Sequence, residues 1–193
     1  MTQPTLLYFG PDGGTDSAPG APKVFLRTLL HSSSRRGNLI ENMYVTLRRA
    51  ETAQNFSIWV YRDRGVLSRG SGLYVGHEGL TMDHHFLLPH DGTQYVFKPG
   101  RYTVDVYAKL ARRRQPTRLG SIPVDLPDAV ATAATSLRYG VFFDWGPHLG
   151  HYQAHARPEP KPPVDPPGIL SQIIATELLA AFDPDLQRPP PVP

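Results

Sequence analysis

From Tyr102 onward the run YTVDVYAKL alternates apolar and polar side chains without a break. Successive side chains of an extended strand point to opposite faces, so this period belongs to a strand with one face in a core and one in water. Tyr102, Val104, Val106, Ala108 and Leu110 point one way; Thr103, Asp105, Tyr107 and Lys109 point the other. The same period recurs along the chain. NMYVTLRR (42–49) sets Met43, Val45 and Leu47 on one face. FSIWVYR (56–62) sets Phe56, Ile58 and Val60 against Trp59 and Tyr61. KVFLRTLL (23–30) and RLGSIPVDL (118–126) read as further strands, with Pro123 placing the second at a sheet edge or bulge. HHFLL (84–88) and TQYVF (93–97) flank the turn composition PHDG and predict a hairpin, as do SLRYGVFFDW (136–145) and HYQAHAR (151–157) around GPHLG. Roughly nine to eleven short strands of this kind predict a mainly β chain, an antiparallel two-sheet sandwich.

The stretch FKPGRYTVDVYA (97–108) resembles the penultimate-strand motif of immunoglobulin-like and fibronectin type III-like domains, at Phe97, Pro99, Gly100, Tyr102, Val104 and Val106. The resemblance implies that Tyr102 is a corner tyrosine whose hydroxyl bonds to nearby backbone. The Cys–Trp–Cys core of antibody domains is absent, since the chain has no Cys. The strand count and the 129–156 extension also exceed a seven-stranded domain.

Proline and glycine divide the chain of 193 residues. Residues 1–22 read as an N-terminal strand and a Gly/Pro-rich loop, 23–156 as the sandwich, 157–168 as a Pro-rich, semi-rigid linker, and 169–193 as an amphipathic helix with a Pro-rich tail. In GILSQIIATELLAAF, the residues Ile169, Leu170, Ile173, Ile174, Leu178 and Phe182 fall near one face at helical spacing. A helix this short is marginal alone in water, so folding and docking occur together. The surface that receives it is expected to be a partner protein, another subunit or the sandwich itself. The segment holds Glu177 and no Lys or Arg, which argues against attraction to anionic lipid.

Eight histidines raise the question of a metal. Asp144, His148, His151 and His155 are the candidate ligands for a metal-binding alternative, a carboxylate with three imidazoles. His84 and His85 are adjacent on a strand and should face opposite ways. The window 76–92 otherwise reads as exposed loop residues around an apolar FLL, and the Ser in SRGSGL (68–73) as part of a flexible loop or bulge. A second alternative is nucleic-acid binding through Arg112, Arg113, Arg114 and Arg118, set in a hairpin loop where phosphates are within reach. Net charge is +3, and arginines outnumber lysines 16 to 4.

No nucleophile elbow, phosphate loop or dinucleotide fingerprint is present. The sequence therefore predicts a non-enzymatic interaction or structural module without a cofactor. It would bind a protein partner or a second subunit through its C-terminal helix, within a multi-protein assembly such as a bacterial machine. No apolar run approaches ~20 residues, and the N-terminus lacks a secretory pattern, so a cytoplasmic protein without a membrane span is expected.

Overall fold

The computed structural model describes residues 1–13, 20–63, 66–89, 91–137 and 139–157. Among them are twelve strands and one helix in the order β1 (Leu6–Pro11), β2 (Pro22–Leu30), β3 (Asn38–Arg49), β4 (Thr52–Phe56), β5 (Ile58–Asp63), β6 (Val66–Arg69), β7 (Leu73–Val75), β8 (Leu80–Leu87), β9 (Gly100–Leu110), β10 (Thr117–Leu126), α1 (Asp128–Leu137), β11 (Gly140–Gly146) and β12 (His151–Arg157). They form two antiparallel sheets. One has seven strands in the order β12-β11-β1-β2-β8-β5-β6, and the other runs β10-β9-β3-β4, with β7 paired to the start of β3.

The period-two pattern decides which side chains meet between the sheets. Val24, Leu26, Leu7, Phe9 and Phe86 from the first sheet join Met43, Val45, Leu47, Val104 and Val106 from the second in one buried cluster. Strand β1 lies between β2 and β11, so the N-terminal strand is part of this body. Tyr102 is fully buried, and its hydroxyl donates to the Lys98 carbonyl. Gly100, just before it, takes φ 131°, which a residue with a Cβ rarely adopts. Strand β10 is an edge, in keeping with Pro123, and its register shifts elsewhere, between Arg118 and Gly120.

Two expected strand arrangements are corrected. FSIWVYR is two strands: β4 ends at Phe56 on the five-stranded sheet, and β5 begins at Ile58 on the seven-stranded one. The chain changes sheets at Ser57, so both Phe56 and Trp59 point into the core, at 0% and 2% exposure. TQYVF forms no hairpin with β8. Leu88 is buried, and Tyr95 and Phe97 lie against the core from an irregular segment that carries the chain between sheets.

Helix α1 is not foreshadowed by the alternating pattern. Its sequence DAVATAATSL offers mainly small side chains, and Ala131 and Ala134 bury at i, i+3 spacing against the core. Asp128 sits in its first turn, where a carboxylate favours the helix dipole. Among the described residues no helix is long and apolar enough to cross a membrane. The expected helix from Ile169 to Phe182 and the Pro-rich linker before it lie outside the described residues.

Candidate functional site

The outer face of the five-stranded sheet gathers the most distinctive side chains. Because Val45 and Val106 face the core, their neighbours Tyr44, Thr46, Asp105 and Tyr107 face out. The β3–β9 register sets Tyr44 opposite Tyr107 and Thr46 opposite Asp105. The two tyrosine rings stack at 5.0 Å with planes 9° apart. Burial, then the neighbouring Tyr107, raises the Tyr44 phenol above its ordinary value.

Asp105 is the anomaly of this face. It lies on the outside of the sheet, yet it is 0% exposed. Arg48 reaches over it from β3, with Nη1 2.8 Å from Oδ2, and Arg118 from β10 places Nη1 3.8 Å from Oδ1. Both arginines remain about half exposed. Thr46, next to it, donates to Asn55 on β4 at 2.8 Å. The carboxylate thus ties three strands together from outside. Further along the face, Lys109 pairs with Glu41 at 3.4 Å, and the exposed Leu39 and Tyr74 stand opposite each other on β3 and β7.

The arginine set anticipated from sequence is split. Arg112, Arg113 and Arg114 are exposed in the β9–β10 turn, where Arg112 takes φ 68° and the Arg113 amide donates to the Leu110 carbonyl. Arg118 leaves that group and lies on the sheet face over Asp105.

The histidine set does not converge. His155 lies 3.4 Å from Asp144 and stacks on Phe142. His151 and His155 share a strand face as expected, but four residues of strand separate them by ~13 Å. The His151 ring meets the Leu149 carbonyl, and His148 lies in the β11–β12 turn. Among the described residues no three potential metal ligands come together.

His84 and His85 face opposite ways, as the strand period requires, but neither is an exposed loop residue. His84 points into the core, where Trp59 Nε1 donates to its Nδ1 at 3.2 Å. His85 lies on the outer side against Phe25, at 8% exposure. Burial drives their pKa values down, to about 4 for His84 and about 3 for His85, so both are neutral at pH 7. The FLL that follows is core on both faces, which is why the window around it is a strand. SRGSGL divides between β6 and β7, and Gly70 lies flat against the Trp59 ring.

An open groove of about 260 Å³ separates α1 from the segment 96–99, lined by Phe97, Lys98, Asp128 and Thr135 among others. It is smaller than ordinary small-molecule sites. No protein-family model matches this chain, and comparison with curated proteins and with solved structures finds no significant match.

Proposed function

We propose that this chain is a non-enzymatic, immunoglobulin-like module of a multi-protein assembly that binds an acidic protein surface with the outer face of its five-stranded sheet. The observation that carries this reading is the exposure of Leu39 (47%) and Tyr74 (60%) on the face that also holds the Tyr44–Tyr107 stack and the arginines over Asp105. Tyrosine and arginine dominate the binding energy of protein interfaces. Apolar side chains exposed within a polar rim mark interaction surfaces. Asp105 holds Arg48 and Arg118 in place before any partner arrives, which lowers the entropy lost on binding. Three further arginines in the adjoining turn add positive charge that draws a carboxylate-bearing partner.

The immunoglobulin-like assignment draws support from strand order. Strands β1, β2, β8 and β5 run in the A-B-E-D order of such domains, and β10, β9, β3 and β4 in the G-F-C-C′ order. On this reading β11 and β12 extend the sheet beyond strand A, and β6 extends it beyond strand D. The corner tyrosine falls on strand F, where such domains carry it.

The test compares partner capture by the full chain with that by Tyr74→Ala, Tyr107→Ala and Arg118→Glu, using Thr81→Ala on the other sheet as control. Capture lost in the first three and kept in the control supports the reading; equal capture by all four removes it. The exposed Arg112, Arg113 and Arg114 favour a second reading, a grip on nucleic-acid phosphates. Retention on a nucleic-acid column that falls steeply with salt, and that Arg113→Ala weakens, is its signature.

A further inference from the structure

The outer face of the seven-stranded sheet is the opposite surface of the molecule, and it is drier than an outer face should be. Antiparallel sheets that pack on one side present alternating polar residues to water on the other. Here Val60 and Leu87 point outward and are both 0% exposed. His85 and Lys23 on the same face are 8% and 4% exposed. These exposures are those of a single chain with no partner present.

Among the described residues, the apolar side chains packed on Val60 and Leu87 are Ile58 and Leu67. Both stand on the same sheet, beside these residues and not above them. Also among the described residues, neither ring nitrogen of His85 has a hydrogen-bond partner, which suits an apolar cover. The sequence outside the described residues narrows the choice. Residues 14–19 (GTDSAP) and the single positions Arg64, Gly65, His90 and Arg138 carry no large apolar side chain. Residues 158–193 hold Ile169, Leu170, Ile173, Ile174, Leu178 and Phe182.

The tether fits. Arg157 pairs with Gly140, and the same row across the sheet runs through Gly10, Lys23, Leu87 and Ile58. The chain therefore leaves β12 level with Leu87. Five strand spacings from β12 to β5 amount to ~24 Å. The eleven residues 158–168, in extended Pro-rich form, reach ~34 Å. A helix over 169–182 would be ~21 Å long, enough to cross four or five strands. Charge agrees as well: that segment has Glu177 and no cation, and beyond the Arg27–Asp83 pair the face carries Arg62 and Arg69.

We propose that residues 169–182 of this chain seat on the outer face of its own seven-stranded sheet, over Val60, Leu87, His85 and Phe25. This surface is separate from the partner face argued above, and the two stand or fall independently. The segment is then a strap that completes a third layer, and the Pro-rich linker is the span that carries it across.

The chain has no Cys, so paired labels are clean. Spin labels at Arg62→Cys and Ser171→Cys in the full chain, diluted into unlabelled protein, should give a narrow distance distribution within about two helix diameters, ~20–24 Å. A broad distribution at longer distance overturns the proposal. So does a short distance that disappears on dilution, which would place the segment on a second copy. A second measurement needs no labels. Ile173→Asp with Ile174→Asp should speed amide exchange in β5 and β8 roughly tenfold while leaving β3 and β9 unchanged. Equal exchange in β5 and β8 with and without the substitutions overturns it as well.

Discussion

The indole Nε1 of Trp59 donates to Nδ1 of His84 across 3.2 Å, inside the core that the two sheets share. This bond fixes neutral His84 as the tautomer with its proton on Nε2. With His85 just behind it in the chain, the fold buries two histidines that an unfolded chain would protonate below about pH 6.5. Their folded pKa values are lowered by burial to about 4 and about 3. Between pH 6.5 and 4 the unfolded state therefore binds more protons than the folded one, and stability falls as pH falls. The expected slope approaches 1.4 kcal/mol per pH unit for each histidine. The fall levels off below the folded values. Urea midpoints at pH 7.5, 5.5 and 4.5 read it, and His85→Phe should remove about half the slope. Asp83, whose carboxyl is held low chiefly by its hydrogen bond with Arg27, titrates below this window and does not confuse it.

Gly70 is the next test of the same corner. A Cβ built there would lie 1.9 Å from Cε3 and 2.3 Å from Cδ2 of Trp59. The indole cannot retreat, since its other edge is bonded to His84 and the Gly70 amide donates to the Trp59 carbonyl. Gly70→Ala should cost about 3 kcal/mol, the upper end of ordinary overpacking, and shift tryptophan emission. Gly92 is the comparison: it has φ 84°, and a Cβ added to it would meet nothing within 4 Å. Gly92→Ala should cost only backbone strain, ~1–2 kcal/mol, and leave the emission unchanged. Thermal melts followed by fluorescence distinguish the two.

How much of this is visible in the sequence depends on what the period of two can carry. It carries strand faces well: Met43, Val45, Leu47, Val104 and Val106 all turn inward, as the alternation predicts. It fails where the chain changes sheets. Phe56 and Trp59 are an odd number of residues apart, so one strand would send them to opposite faces; crossing at Ser57 lets both point inward. It is also silent in α1, where Ala131 and Ala134 bury too little surface to stand out among DAVATAATSL. The candidate face is half legible. The alternation turns Asp105 and Tyr107 outward, but the pairing of Arg118 with Asp105 depends on a register shift in β10 that no local pattern announces.

Tyr102 tests the motif on which the immunoglobulin-like resemblance rests. Its ring is fully buried, and its hydroxyl donates to the Lys98 carbonyl at the turn before β9. Tyr95 stands beside it: burial, then Tyr102, raises the Tyr95 phenol well above its ordinary range, so it stays protonated. Tyr102→Phe keeps the packing and strips the carbonyl of its donor, at a cost of about 1–2 kcal/mol. Tyr95→Phe combined with it should be less than additive, because the two phenols stand close enough that Tyr102 raises the Tyr95 phenol. Chemical denaturation of the two single variants and the double variant measures the coupling.

The last prediction concerns the asymmetry at Asp105. Its carboxylate is wholly buried, while Arg48 and Arg118 keep about half their surface in water. Removing one partner of an ion pair is costly when the charge left behind is buried, and cheap when it is solvated. Asp105→Asn leaves two wet guanidinium groups, which turn to solvent; it should cost under ~1 kcal/mol. Arg48→Met leaves the buried carboxylate with Arg118 alone, whose Nη1 is 3.8 Å away. That should cost more, about 1–3 kcal/mol, though the substituted side chain is the more exposed of the two. Denaturant midpoints for the two variants at pH 7 decide it. Equal losses would mean that water reaches the carboxylate, and that the two arginines lie over Asp105 without holding it.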